Sequence, residues 1–166
     1  NFKSRSHFTQ LLYNHIAHSA DGEVSLVDSV STDQANSHAL MLGNLIVSKV
    51  RPQSNNQAKF IDFGQDAGTA HRGVLYLVHN TLVAATPAIE FLWATSSAAS
   101  IVAEHNIFFG SNRIVGMPGG GSSGARNWLP SSASIPSSWT ESVTGVAPGF
   151  VNPATGDYHL IAGSGP

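Results

Sequence analysis

A chain of 166 residues is long enough for one domain and hardly two. With 42% apolar residues it can bury a core, and with only 11% charged residues it is neither a disordered charged tail nor a coiled coil rich in Glu and Lys. The formal charge of −2 leaves no basic footprint for nucleic acid, and no run approaches the about 18 uninterrupted apolar residues of a membrane-spanning helix.

In chain order, the opening alternates Lys3, Arg5 and His7 with Phe2, Ser4, Ser6 and Phe8, so that on a strand the three basic residues share one face. Residues 11–16 (LLYNHI) form a short apolar run around Asn14. Residues 23–30 (EVSLVDSV) follow, then 40–47 (LMLGNLIV) around Asn44 and 59–64 (KFIDFG). Residues 75–83 (LYLVHNTLV) surround Asn80, 88–95 (AIEFLWAT) come next, 101–109 (IVAEHNIFF) surround Asn106, and 113–116 (RIVG) close the series. Each run is of strand length, rich in β-branched or aromatic residues, and bounded by Gly, Ser, Asn or Pro, which interrupt any longer helical period. Residues 117–146 are loaded with Gly, Ser and Pro and read as a long irregular excursion carrying Trp128 and Trp139. Residues 147–166 read as a turn and one closing strand.

Four runs align on their asparagines. Three positions before the Asn stand Leu11, Met41, Leu77 and Ala103; two positions after it stand Ile16, Ile46, Leu82 and Phe108, apolar every time. The Asn-to-Asn spacings are 30, 36 and 26 residues. So loose a period suits a β-solenoid, in which strands are constant and the loops between them vary. The expected fold is an all-β, right-handed parallel β-helix of roughly four to five coils stacked about 4.8 Å apart, with at least two strands per coil and a long irregular loop near the C-terminus. Residues 1–116, 117–146 and 147–166 form its coils, loop and closing strand within a single domain.

The Asn-centred strands LVHNTLV and AEHNIFFG, with the ending PGFVNPATGDYHLIAGSGP, resemble right-handed parallel β-helix proteins of the pectate-lyase-like superfamily. In alginate-lyase- and chondroitinase-B-like members, a Lys-Ser pair opens a coil and its Lys is the catalytic base. Lys3-Ser4, Asn14 and residues 22–26 match that pattern, while Val27-Asp28-Ser29 stands where the family carries Arg-His-Gly, and the family's acidic calcium ligands would lie before Asn1. The resemblance implies a secreted, extracellular protein that cleaves or binds a uronate-containing polysaccharide, without nucleic-acid or membrane partners. It also implies the C-terminal part of a larger β-helix, lacking N-terminal coils, or a subunit that self-associates end to end. The start at Asn1 suits a processed product or a piece of something longer.

Cysteine is absent, which removes disulfides, thiol nucleophiles and Cys-ligated zinc. Neither an HExxH, an EF-hand nor a phosphate-loop pattern is present. β-Elimination on a uronate requires a neutralised carboxylate and a base within reach. Lys3 is the candidate base, Arg5 the neutraliser and His7 an auxiliary acid; the competing reading is a solvated strand face. Asp62 and Glu90, each flanked by Ile and Phe, face outward and, if stacked about 5 Å apart, suit a Ca2+ site or a retaining glycosidase pair, with Asp21, Glu23 and Asp28 as further ligands. The competing reading is surface acids that keep the sheet soluble. Trp128 and Trp139 are candidate sugar-stacking faces or else anchors of the loop, and Trp93 is expected to pack. His79 and His105 either bind a metal or stack at a bend, and the asparagines are expected to hydrogen-bond from coil to coil. The non-catalytic alternative is a carbohydrate-binding, adhesin-type or structural solenoid.

Overall fold

The computed structural model describes residues 1–19, 22–28, 37–49, 59–65, 71–116 and 120–164. The first passage of the chain consists of β1 (Phe2–Ser4), β2 (Phe8–Leu12) and β3 (His15–Ala17). The second is β4 (Val24–Asp28), β5 (His38–Leu42) and β6 (Leu45–Val47); the third is β7 (Lys59–Gln65), β8 (Val74–Val78) and β9 (Thr81–Val83). The fourth is β10 (Glu90–Ala94), β11 (Ser100–Glu104) and β12 (Ile107–Phe109), and the fifth is β13 (Arg113–Gly116), β14 (Gly121–Ala125) and β15 (Trp128–Pro130). A shortened sixth holds β16 (Trp139–Thr140) and β17 (Val143–Gly145), and β18 (Phe150–Asn152) and β19 (Asp157–Leu160) end the chain. Each strand from β1 to β17 pairs in parallel with its equivalent one passage away, which gives three sheets. Sheet A is β1-β4-β7-β10-β13, sheet B is β2-β5-β8-β11-β14-β16, and sheet C is β3-β6-β9-β12-β15-β17. The chain is therefore all-β with stacked parallel sheets, an arrangement compatible with a parallel β-solenoid. Among the described residues each full passage, or rung, carries three strands and there are five full rungs.

Every join between sheets B and C is two residues long. Its first residue is Tyr13, Gly43, His79, His105, Arg126 or Glu141, each in the left-handed conformation with φ between 53° and 65°. Its second is Asn14, Asn44, Asn80, Asn106, Asn127 or, in the last rung, Ser142. The left-handed residue is thus the one before the Asn, and the Asn itself supplies hydrogen bonds. The Asn44 Oδ1 accepts from both the backbone N–H (2.9 Å) and the amide (3.2 Å) of Asn14. The Asn44 amide donates to Leu11 O at 2.7 Å and to Asn80 Oδ1 at 2.8 Å. The same pattern recurs from Asn80 to Asn106 and from Asn106 to Asn127, and it ends where Asn127 N–H donates to Ser142 Oγ at 3.1 Å. Asn44, Asn80, Asn106 and Asn127 are buried, so the amides run as a satisfied polar thread along one corner, as the aligned asparagines lead one to expect.

The apolar positions counted from the Asn point inward. Leu11, Met41, Leu77 and Ala103 stack in sheet B; Ile16, Ile46, Leu82, Phe108 and Leu129 stack in sheet C. Sheet A adds Val24, Ile61 and Leu92, then Leu26, Phe63 and Ala94. An aromatic line crosses this interior, with ring centroids 5.2 Å apart for Phe60–Phe91, 5.3 Å for Phe91–Phe108 and 5.7 Å for Phe108–Trp139. Such tilted and edge contacts match the ring quadrupoles.

Two expectations change. Residues 120–146 are not an irregular excursion: β14 to β17 extend sheets B and C there, and Met117–Gly119 lies outside the described residues. Gly124 takes the inward position that Leu or Met fills earlier, and the space it leaves is occupied by the Trp139 ring. Small residues at inward positions hide the period that the apolar runs reveal elsewhere. The final segment is an antiparallel hairpin, β18 with β19, not one closing strand. Phe150 and Tyr158 lay it against Trp128, Ile107 and Phe109 on the outer side of sheet C.

Asn80→Ala should destabilise the fold by about 3 kcal/mol or more in urea denaturation, because it strands buried donors on Asn44 and an acceptor on Met41 at roughly 1–3 kcal/mol each. Asn14→Ala, at the exposed end of the thread, should cost about 1 kcal/mol or less. Equal losses at the two positions would show that the thread does not hold the rungs.

Candidate functional site

Strict alternation breaks in sheet A. Phe60 and Ile61 are both buried, as are Phe91 and Leu92. Residues on either side of each pair, Lys59 with Asp62 and Glu90 with Trp93, consequently both reach the surface. Register then builds two outward columns: Lys3, Ser25, Asp62, Trp93 and Gly116 in one, and Lys59, Glu90 and Arg113 in the other. Lys59 Nζ lies 3.2 Å from Asp62 Oδ2 and 4.9 Å from the centre of the Trp93 ring, an ion pair and a cation–π contact together. The Arg113 guanidinium lies 3.6 Å from the Glu90 carboxylate and also donates from Nη1 to Ala88 O at 3.2 Å. Glu90 fills the space above Gly116, where any Cβ would collide with its carboxylate. Burial pushes the Glu90 carboxyl above its usual range, opposed in part by Arg113 and Lys59.

This register separates the two acids expected to stack. Glu90 pairs with Lys59, and Asp62 pairs with Trp93, so Asp62 and Glu90 stand three positions out of step and each is matched to its own cation. The flanking Ile and Phe misled the alignment: Phe60-Ile61 is equivalent to Phe91-Leu92, not Ile61 to Ile89. Glu23 is fully buried, at the inward position that Phe60 holds in the next rung, and its Oε2 accepts from Ser19 N–H at 3.1 Å. Asp21 lies outside the described residues. Among the described residues, no three His, Asp or Glu side chains converge as metal ligands.

Lys3, Arg5 and His7 do not share a strand face. β1 ends at Ser4, whose Oγ lies 2.8 Å from Thr9 Oγ1, and the chain turns through Arg5 to His7 into sheet B. Lys3 stays on the outer face of sheet A, while His7 is placed at the corner, with Nδ1 3.3 Å from Ser37 Oγ. Trp128 and Trp139 are 4% and 5% exposed. The first lies beneath the C-terminal hairpin and the second on Phe108, so neither presents a ring face to a sugar, and both anchor the last rungs.

Sequence reasoning passed over Lys59 and Arg113 and gave Trp93 only a packing role, whereas its ring is half-buried on the outer face under Lys59. The joins from sheet A to sheet B, residues 5–7, 29–37, 66–73, 95–99 and 117–120, differ in length from rung to rung, so counting from the Asn does not carry into sheet A. A second group lies at the B–C corner. The His79 and His105 rings stack 4.8 Å apart at 29°, and Arg126 Nε donates to Glu141 Oε2 at 2.8 Å. These four border a cavity of about 570 Å³. Comparison with protein-family models, with curated proteins and with solved structures finds no match.

The raised Glu90 carboxyl sets a pH dependence. The folded chain holds this proton more tightly than the unfolded chain, so the contribution of Glu90 to stability is fullest in acid, and falls as pH rises from the ordinary Glu range through the raised value. Glu90→Gln should flatten that decline and be neutral to stabilising at neutral pH, measured by denaturant unfolding across the acid-to-neutral range. A Gln variant markedly less stable at neutral pH would mean that the Arg113 and Lys59 pairings outweigh burial.

Proposed function

We propose that the chain is a right-handed parallel β-helix that binds an acidic, uronate-containing polysaccharide on the outer face of sheet A, in an extracellular setting. The observation that carries the reading is the gathering of Lys59, Asp62, Glu90, Trp93 and Arg113 on three neighbouring rungs of one face, with Lys3 two rungs away in the same column as Asp62 and Trp93, in a chain with so few charges. Lys59 above the Trp93 ring joins a cation to an apolar plate, which is the pairing a sugar carboxylate and its ring face call for. Binding is favoured over cleavage, because Arg5 and His7 lie beyond the end of the strand that holds Lys3.

In affinity electrophoresis through alginate, polygalacturonate or chondroitin, the chain should be retarded by at least one, and Lys59→Ala or Arg113→Ala should weaken retention roughly threefold to tenfold. Retention that ignores all three polymers would remove the reading. Ultraviolet absorbance of the unsaturated product, followed with and without Ca2+, should stay flat. If it rises and Lys3→Ala abolishes the rise, the protein is a lyase with Lys3 as base.

One observation favours a second reading, a structural subunit that stacks through its first rung. The Asn14 Oδ1 accepts no hydrogen bond among the described residues, whereas Oδ1 of each later Asn accepts two. β1, β2 and β3 are the edges of their sheets, and open edges pair readily. Sedimentation velocity over a range of concentrations tests this: reversible association weakened by Gln10→Pro supports stacking, and a single monomeric species at every concentration excludes it.

A further inference from the structure

The two-residue corners do more than turn the chain. Because their first residues share one left-handed backbone conformation, their side chains emerge on the same side in every rung but the second, where Gly43 has none. Tyr13 spends its ring over Gly43, where a Cβ would strike it. Beyond it follow the stacked imidazoles of His79 and His105 and then the Arg126–Glu141 pair. These last four residues form one wall of the cavity of about 570 Å³, a volume typical of small-molecule sites. Thr81, Ile107 and Val143 of sheet C form its floor, and Leu160 of the hairpin closes the opposite side.

We propose that this cavity binds an acidic sugar residue through its carboxylate. Glu141 engages Arg126 only at Nε, so both terminal nitrogens of the guanidinium make no hydrogen bond among the described residues. They remain as a planar pair of donors whose orientation Glu141 fixes, the arrangement that accepts a carboxylate in two parallel bonds. The imidazoles of His79 and His105 and the hydroxyl of Thr81 offer donors and acceptors to ring hydroxyls. Ile107, Val143 and Leu160 offer an apolar surface to the C–H face of the ring. Glu141 adds a selection rule. It cancels the charge of Arg126, so recognition rests on the paired donors and not on net charge, and a doubly charged phosphate meets stronger repulsion from this carboxylate than a singly charged group does. Sheets B and C carry this site and sheet A carries the one proposed above, so either can stand without the other.

The test titrates the full chain with trigalacturonate, with the neutral galactose trimer and with a sulfated galactose trimer, and reads side-chain and backbone NMR shifts. Trigalacturonate should move the ring signals of His79 and His105 together with Thr81 and Ile107. It should bind about tenfold or more tightly than the neutral trimer. Arg126→Gln should lower its affinity about tenfold. Arg126→Lys, which keeps the charge and loses the planar fork, should recover only part of it. His105→Asn, a change that the left-handed corner tolerates, should weaken binding and remove the ring-stacking shift at His79. Equal affinity for the neutral trimer, preference for the sulfated trimer, or unchanged affinity in Arg126→Gln would overturn the proposal. Shifts confined to Lys59, Trp93 and Arg113 would overturn it too, while leaving the sheet A reading in place.

Discussion

A two-residue corner leaves the chain with polar groups that no strand can satisfy. Between sheets B and C the N–H of the second corner residue and the C=O three positions before it both face the interior. One Asn side chain answers both needs: its oxygen accepts the N–H and the amide of the preceding rung, and its nitrogen donates to that rung's carbonyl and to the next Asn. The Asn44 amide uses four places, two accepting and two donating, at distances between 2.7 and 3.2 Å. In a low-dielectric interior such a fully satisfied thread is strong, and any gap in it is costly. It also fixes height and rotation together. Once the amides are in contact, Met41 must lie over Leu11 and Ile46 over Ile16, because a slip by one residue would turn each inward side chain out.

Constancy at one corner permits variation at the others. The joins that lead out of sheet A change length in every rung, and those that return to it from sheet C do so as well. Sheet A therefore takes its register from its own packing, with Phe60 and Phe91 locked into the aromatic line and Lys59, Glu90 and Arg113 aligned as alternating charges outside. The paired burial of Phe60 with Ile61, and of Phe91 with Leu92, is what brings Lys59 beside Asp62 and places Trp93 beneath a cation. Core packing and the outer charge arrangement have a single cause here.

The first and last described rungs are covered differently. At the C-terminal end Trp139 enters the space above Gly124 and touches Phe108, and the hairpin spreads Phe150 and Tyr158 over the outer side of sheet C. In the first described rung Phe2 and Ile16 are only partly buried, and Asn14 Oδ1 accepts no hydrogen bond among the described residues. The hairpin also raises Leu160 opposite the corner side chains, which turns a row of exposed groups into a cavity with an apolar side.

The Asn alignment was enough to point to parallel stacking, to the inward columns of sheets B and C and to the adjacency of His79 and His105, because these all lie within a few residues of a corner of constant length. It did not reach residues 121–145, where Gly and Ser replace the apolar markers, although Asn127 continues the series. It could not place Asp62 against Glu90, since joins of unequal length intervene and only the burial of adjacent aromatic residues sets their step. Nor could it tell that Trp128 and Trp139 are enclosed, or that Arg126, Glu141 and Leu160 meet. Local chemistry dictates a bend and its partner in the next rung; which distant side chains then share a surface is decided by how the whole stack closes over its core.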